Sequence, residues 1–290
     1  MNSLLFEKRQ FKYLAFKLKC NPKELEWVIS NIDECYYEYQ EFKKDKTGNF
    51  KRYKDGIRKK RTISPSYPRL KRIQWAIKKD ILDKVEIPIH IQGGVKGKSN
   101  ITNAKIHQGK RYKFTTDLND FFPSLTHSLV YGVFLKFGFS NHQASVLTKL
   151  TTFNYCLPQG APTSPHLSNF AFFDIDEKLL NLAKLHNITY TRFIDDLTFS
   201  SPTDFKHVVS AISGIITSTG FKISHRKTSY NGNQVVTGIQ VHNNFIDGTI
   251  HIQEKAKQEQ YLGLALKPIT QYLKRIRKTN KLGKKETVKH

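Results

Sequence analysis

Apolar positions along the chain change period several times, and each change predicts an element. "NPKELEWVISNIDECYYEYQEF" spaces Leu25, Val28, Ile29 and Ile32 three and four residues apart, so residues 1–45 are expected to be helical. Leu70, Ile73, Ile77 and Ile81 in "YPRLKRIQWAIKKDILDKV" predict another amphipathic helix. Between them, "KTGNFKRYKDGIRKKRTIS" (46–64) reads as a basic hairpin turning at Lys-Asp-Gly. "IQGGVKGKSNITNAKIHQGK" is a Gly- and Lys-rich loop running into a short helix, and "RYKFTTDLNDFFPSL" a strand that turns and enters a helix at about Ser124. Residues 127–154 read as mostly helical. "NYCLPQGAPTSPHLSNFAFFDIDEKLLNLAKLH" reads as a loop followed by one long helix.

"TRFIDDLTFS" alternates on both sides of its centre, which predicts strand, hairpin turn and strand with two aspartates at the tip. "PTDFKHVVSAISGIITSTG" is a helix with Gly220 as its cap, and "FKISHRKTSYNGNQVVTGIQVHNNFIDG" is strand-rich. From 252 on the pattern is helical and strongly basic, and the end, "KRIRKTNKLGKKETVKH", is expected to be partly disordered. No internal repeat is present. Strands and helices mix without regular βα alternation, which predicts an α+β fold.

Composition narrows the class. A chain of 290 residues with 38% hydrophobic and 12% aromatic content can bury a large core, which excludes a disordered protein. No apolar run approaches the ~20 residues needed to span a bilayer. Lysines interrupt the apolar N-terminus and no small-residue cleavage site is present, so no signal peptide is expected. Cys20, Cys35 and Cys156 are widely spaced and odd in number, which fits a reducing cytoplasm and neither a disulfide framework nor a zinc site. Forty-eight Lys and Arg against 24 Asp and Glu leave a formal charge of +24. An excess that large, spread along the whole chain, points to nucleic acid and not to a membrane.

Two adjacent aspartates at a hairpin tip, taken alone, fit an acidic turn facing water. A third carboxylate changes this: Asp117, in "FTTDLNDFF", ends an apolar strand. A strand-end Asp beside an Asp-Asp hairpin is the donor set of two-metal nucleotidyl transfer. Hard Mg²⁺ takes a few carboxylates together with substrate phosphates. Adjacent strand residues face opposite ways, so Asp195 and Asp196 share a site only if the turn re-aims one of them. On this reading Asp117 and Asp195 are the firmer pair.

These stretches resemble reverse transcriptases. "FIDD" is similar to their Tyr-x-Asp-Asp box, "DLNDFF" to the box of their first metal aspartate, and "LPQGAPTSP" (157–165) to their Leu-Pro-Gln-Gly box. "RTISPSYPRLKRIQ" resembles their fingers motif. "NAKIH" (103–107) and "VTG" (236–238) match the Asn-Ala-x-x-His and Val-Thr-Gly signatures of the retron type. The resemblance spans roughly residues 50–245. It implies a right-hand polymerase fold: an N-terminal helical segment (1–45), fingers (46–110), and a palm of antiparallel sheet with helices (111–245, with part of the fingers at 127–160). A short basic helical thumb and tail (246–290) complete it.

The resemblance also implies roles. Asp117, Asp195 and Asp196 would be catalytic ligands for two Mg²⁺, with Mn²⁺ a possible substitute. Lys59 and Arg61 would grip the triphosphate, although "IRKKRT" holds four basic residues and a solvated hairpin is an equal alternative for each. The backbone N–H groups of Leu118, Asn119, Asp120, Phe121 and Phe122 would hold phosphates, and Gln159 would touch the nucleotide. Phe122 would exclude a 2′-hydroxyl, whereas Phe121 reads as core. Lys227 would stand near the leaving pyrophosphate, with Lys222 a rival and Arg226 a neighbour. Asn103, His107, Val236, Thr237 and Gly238 would recognise a cognate structured RNA.

Phe193-Ile194 departs from the usual Tyr-Ala, which affects primer fit but removes no metal ligand. The implied activity is RNA-directed DNA synthesis primed from an internal 2′-hydroxyl, giving RNA-linked single-stranded DNA (msDNA). The implied partners are the cognate RNA, dNTPs and a separately encoded effector in anti-phage defence. Another bacterial lineage (group II intron-like or diversity-generating) and a non-catalytic RNA-binding scaffold for an effector are the alternatives.

Overall fold

The computed structural model describes residues 2–43, 49–53, 55–232 and 234–282. Of the tail expected to be partly disordered (274–290), residues 274–282 are helical and the rest lie outside that set. In chain order the elements begin with α1 (Asn2–Lys17), α2 (Pro22–Ser30), β1 (Tyr39–Phe42), β2 (Lys60–Ile63), α3 (Pro68–Asp80) and α4 (Asn100–Ile106). Next come β3 (Tyr112–Asn119), α5 (Phe121–Ser124), α6 (His127–Lys136), α7 (Asn141–Thr151), α8 (Ser164–Ala171) and α9 (Phe173–Leu185). β4 (Thr189–Phe193), β5 (Asp196–Ser201), α10 (Val209–Thr217), β6 (Lys222–Ile223) and β7 (Ser229–Tyr230) succeed them. β8 (Val235–Val236), β9 (Ile239–Val241), β10 (Ile246–Gly248), α11 (Ile250–Tyr261) and α12 (Pro268–Leu282) complete the order. Helices and antiparallel sheets mix, so the fold is α+β. No helix among the described residues is long and apolar enough to cross a membrane.

The chain divides into two units. One comprises residues 2–43, 50–88 and 120–174. Here α1, α2 and α3 pack on α7, burying Leu14, Leu25, Val28, Leu70, Ile73, Ile77, Leu147 and Leu150. The buried Gln74 is satisfied by Tyr36, Ser66 and the Leu150 carbonyl, as a buried amide must be.

Three local expectations change in this unit. Residues 39–42, read as helix, form β1 and pair antiparallel with β2. The aromatic run Tyr36, Tyr37, Tyr39 and Phe42 prefers a pleated surface, and a short 3₁₀ turn at Asp33–Cys35 ends the helical period before it. The turn of this hairpin lies at Asp55–Gly56, with Gly56 at φ +86°, while Lys54 and residues 44–48 lie outside the described residues. The helix expected at Ser124 begins at Phe121, after Asp120 takes a left-handed φ of 46°. The single long helix after the Pro-Gln-Gly loop is two: the Phe172 N–H turns back to Asn169 and Phe170, and α9 starts at Phe173.

The other unit comprises Asn49 and residues 89–119, 175–232 and 234–282. Its main sheet has the order β4–β5–β3–β6, with β7 also pairing β3, and every pairing is antiparallel. Phe114, Tyr190, Leu197 and Phe199 are buried on its strands, as are Leu179 of α9 and Ile212 and Ile216 of α10. A second small core joins Ala104 of α4, Val236, Ile239, Val241 and Ile246 of the β10–β9–β8 sheet, and Ile276 of α12.

Candidate active site

Register brings the carboxylates together. β3 and β5 pair with Asp117 opposite Asp196, and β4 and β5 pair with Phe193 opposite Asp196. Directly opposed residues in antiparallel strands share a face, so Asp117 and Asp196 do. Ile194 and Asp195 form the two-residue turn between β4 and β5, and Ile194 sits at φ +58°. That is the first central position of a hairpin turn, where positive φ re-aims the next side chain. A ligand oxygen from each of Asp117, Asp195 and Asp196 then lies within 4.8 Å of the others. The condition set by strand alternation is met by the turn itself, and Asp196 shares the site as fully as Asp195.

A β-branched residue at positive φ is costly, so the surroundings must hold it. Arg192, fully buried on β4, donates through Nη1 to the Ile194 carbonyl at 3.0 Å. Its Nε and Nη2 grip the buried Asp176 of α9 at 2.9 and 2.6 Å. Burial opposes the Arg192 charge, and the adjacent Asp176 carboxylate outweighs it and raises the pKa. Tyr190 donates to the same carboxylate at 2.7 Å. On the other side, the Arg192 backbone bonds to His90 and Gln92. Gly93 lies so close that a Cβ there would sit 2.4 Å from the Ile194 nitrogen. The tip is therefore wedged between a buried ion pair and a glycine.

The electrostatics suit a hard cation. Burial, and then the charges of Asp195 and Asp117, push the Asp196 carboxyl up to about 7. Lys227 Nζ sits 2.6 Å from Asp117 Oδ2. Partial burial opposes its charge, but the bond to Asp117 and the charges of the three aspartates raise its pKa. Three convergent carboxylates, with Lys227 against them, form a negative spot in a chain of charge +24. An all-oxygen donor set of this kind fits a divalent ion such as Mg²⁺.

The other expected residues are spread over both units. Lys227, and not Lys222, reaches the carboxylates; Lys222 lies on β6 opposite Asn119. The Leu118 N–H donates to the Asp195 carbonyl at 3.0 Å, so this member of the expected phosphate-binding run is already engaged. In the first unit, Phe121 is buried against Phe172, while Phe122 is half-buried. Gln159 accepts from the Ser64 N–H through its carbonyl. Arg61 is exposed and paired with Glu41, and Lys59 Nζ lies over the Tyr53 ring. Asn103, His107 and Val236 are fully buried. Side chains with no exposed surface cannot read RNA edges, so that expectation is corrected: only Thr237 and Gly238 of the set present surface.

Arg192, Asp176 and Gly93 were not singled out from sequence. A signal existed for one of them: an Arg inside the apolar alternation of "YTRF" must find a buried counter-charge.

Comparison with known proteins agrees with this geometry. The sequence model of the family described as reverse transcriptase (RNA-dependent DNA polymerase) matches residues 43–266. The retron Ec86 reverse transcriptase of Escherichia coli is 38% identical over 187 residues, which is 62% of this chain and 58% of that protein. The retron Se72 reverse transcriptase of Salmonella heidelberg (strain 579083-10) is 29% identical over 222 residues, 74% of this chain and 56% of that protein. The chain thus spans little more than half the length of these two curated relatives. The retron Ec73 reverse transcriptase of Escherichia coli is 30% identical over 233 residues, 72% of this chain and 73% of that protein. With three aspartates converging where that family's boxes fall, and with this spread of relatives, the chain belongs to the reverse transcriptase family and within it to the retron type.

Proposed function

We propose that the protein is a retron reverse transcriptase. It binds a cognate structured RNA and copies part of it into DNA, priming from an internal 2′-hydroxyl to give RNA-linked single-stranded DNA. The observation that carries this reading is the convergence of Asp117, Asp195 and Asp196 beside Lys227. The domains would be fingers, palm and a basic thumb beginning near residue 246.

Asp117, Asp195 and Asp196 would hold two Mg²⁺, or Mn²⁺ in their place. When bound, these ions lower the pKa of an attacking hydroxyl and neutralise the triphosphate and leaving oxygen. The protein's own groups do the rest. Lys227 holds a proton near the departing pyrophosphate and can deliver it. Arg61 and Lys59 bind phosphate oxygens, for which the guanidinium fork is suited. The backbone of residues 119–122 and the Gln159 side chain orient the nucleotide, and Phe122 excludes a 2′-hydroxyl. Thr237 and Gly238 contact the cognate RNA, with Asn103 and His107 acting from behind them. A cytoplasmic location and a separately encoded effector in anti-phage defence fit this chemistry.

The test is made on nucleic acid that co-purifies with the protein expressed from its native locus. After RNase treatment, a discrete DNA band should remain on a denaturing gel. It should vanish in the Asp195→Asn, Asp196→Asn double variant. RNA without DNA from both proteins would overturn the polymerase reading and leave an RNA-binding scaffold.

A further inference from the structure

The turn joining β8 and β9 contains only Thr237 and Gly238, because Val236 pairs with Ile239. Both take positive φ, 44° and 82°. This is the pattern of a type I′ turn, which favours Asn-Gly and disfavours a β-branched first residue. Thr237 is therefore strained, and something must hold it there.

What holds it is a buried chain of hydrogen bonds whose direction can be deduced. Thr191 Oγ1 lies 2.6 Å from Asn103 Oδ1, which can only accept, so the single Thr191 proton points there. Thr191 Oγ1 then accepts from His107 Nε2 at 2.7 Å, which fixes the proton on Nε2. His107 Nδ1 is left bare and accepts from Ser200 Oγ at 2.6 Å. Onward, Asn103 Nδ2 donates to Thr237 Oγ1 at 3.4 Å, and that hydroxyl donates to the Asn100 carbonyl at 3.3 Å. Asn100 Nδ2 reaches back to the Thr237 carbonyl at 3.3 Å and to the Tyr272 hydroxyl at 2.6 Å. Asn103, His107 and Ser200 are fully buried and Thr191 nearly so. The protons of Thr191, His107, Ser200 and Thr237 each have one acceptor.

The chain is anchored on the sheet that carries the aspartates. Thr191 faces Thr198 across β4–β5, and Ser200 and Thr198 share a face with Asp196 by strand alternation. Ser200 lies four residues, roughly 13 Å, down β5 from Asp196. A turn gripped here is held at a fixed offset from the carboxylates.

We infer that Thr191, Ser200, Asn103 and His107 are positioning residues that hold the strained Thr237–Gly238 turn in its RNA-binding shape, fixing where bound RNA lies relative to the carboxylates. This rests on the proposed function, in which that turn contacts the cognate RNA.

The test uses the full chain and the RNA that co-purifies with it, transcribed in vitro. Thr191→Val keeps the side-chain shape but removes both of its hydrogen bonds, while Ser200→Ala removes one. Thr198→Val, on the same buried face but outside the chain of bonds, controls for packing. Thr191→Val should weaken RNA binding about tenfold or more, and Ser200→Ala by a smaller factor. On a short DNA-primed RNA template of unrelated sequence, kcat and the KM for dNTP should stay within about twofold of wild type. Nitrogen-15 spectra of His107 should show the Nε2–H tautomer. Unchanged RNA affinity in Thr191→Val would overturn the inference. So would a parallel fall in kcat, an equal loss in Thr198→Val, or an Nδ1–H tautomer. Wild-type protein that carries no RNA would instead sink the proposed function, and the inference with it.

Discussion

Two hairpin turns in the second unit make an instructive pair. The Ile194–Asp195 turn and the Thr237–Gly238 turn each force a β-branched residue to positive φ. Each is held by buried polar groups, but of different kinds. At Ile194 the anchor is ionic: the Arg192 guanidinium, neutralised by Asp176, bonds the backbone carbonyl. At Thr237 the anchor is neutral: the Asn103 amide and the Asn100 carbonyl bond the side-chain hydroxyl itself, and Thr191 and His107 stand behind Asn103. A charge can stiffen a tip that must hold like charges together, at the risk of heavy loss if unpaired. A neutral chain fixes one proton arrangement and a surface turn. The difference predicts different responses to substitution and strain relief.

The largest effect belongs to the carboxylates at the ionic tip. Replacing both Asp195 and Asp196 by Asn should lower primer extension by roughly 10³-fold or more. In metal-free buffer the same protein should melt at a temperature equal to or above wild type. Burial, with the neighbouring carboxylates, already disfavours the Asp196 charge, so its removal relieves repulsion. A large drop in melting temperature would show that the carboxylates hold the fold and not a ligand.

Next in size is the ion pair. Asp176→Asn leaves a buried, uncompensated guanidinium and should cost about 3–5 kcal/mol in urea denaturation. Arg192→Met with Asp176→Leu should recover most of that stability, since an apolar pair of similar size avoids desolvation. It should not recover primer extension, because the Ile194 carbonyl loses its donor. Recovery of both would break the claim that the charge serves the tip. Gly93→Ala tests the opposite wall. A Cβ 2.4 Å from a backbone nitrogen forces a shift, and activity should fall more than stability.

These devices divide according to how much of the site sequence could reveal. The hairpin, the strand-end Asp117 and the α+β class were legible because period-2 alternation and turn residues are local signals. Whether Asp195 and Asp196 could share a site was not legible, because it depended on the φ of Ile194, a residue with no preference for that region. Asn103 and His107 read as surface recognisers because a motif gives residue types and not the direction in which they point. Their burial comes from α4 lying over β4 and β5, a contact between residues about ninety positions apart. β1 was missed where a helical period and an aromatic run adjoin, and tertiary pairing with β2 decided between them.

Acid should act on the neutral anchor. Burial, helped by Lys113 and Lys110, holds His107 down at about 3. Its folded pKa lies below the ordinary value of about 6.5, so the unfolded chain takes up the proton first. The stability His107 contributes is fully present above pH 6.5 and is lost as pH falls from there towards 3. Between pH 7 and 5 this amounts to about 2 kcal/mol. His107→Gln should be less stable at pH 7 but lose less on acidification. Equal pH slopes for the two proteins in urea denaturation would mean that His107 is not held neutral.

The smallest effect separates the two anchors most directly. Asn tolerates left-handed φ far better than Ile or Thr, so both Ile194→Asn and Thr237→Asn relieve backbone strain. At Ile194 the anchoring bond goes to the main-chain carbonyl and survives the change. The gain from strain relief, about 1 kcal/mol, should then appear, less what the half-buried Ile loses in apolar contact. At Thr237 the bonds from Asn103 and to the Asn100 carbonyl use the hydroxyl, and they go with it. The Thr237 change should therefore gain less, within about 0.5 kcal/mol of wild type, because lost hydrogen bonds offset relieved strain. Urea midpoints of the two variants decide this. If Thr237→Asn proved the more stabilising, the neutral chain would not be what holds the turn, and Thr237 would owe its φ to the β8–β9 pairing alone.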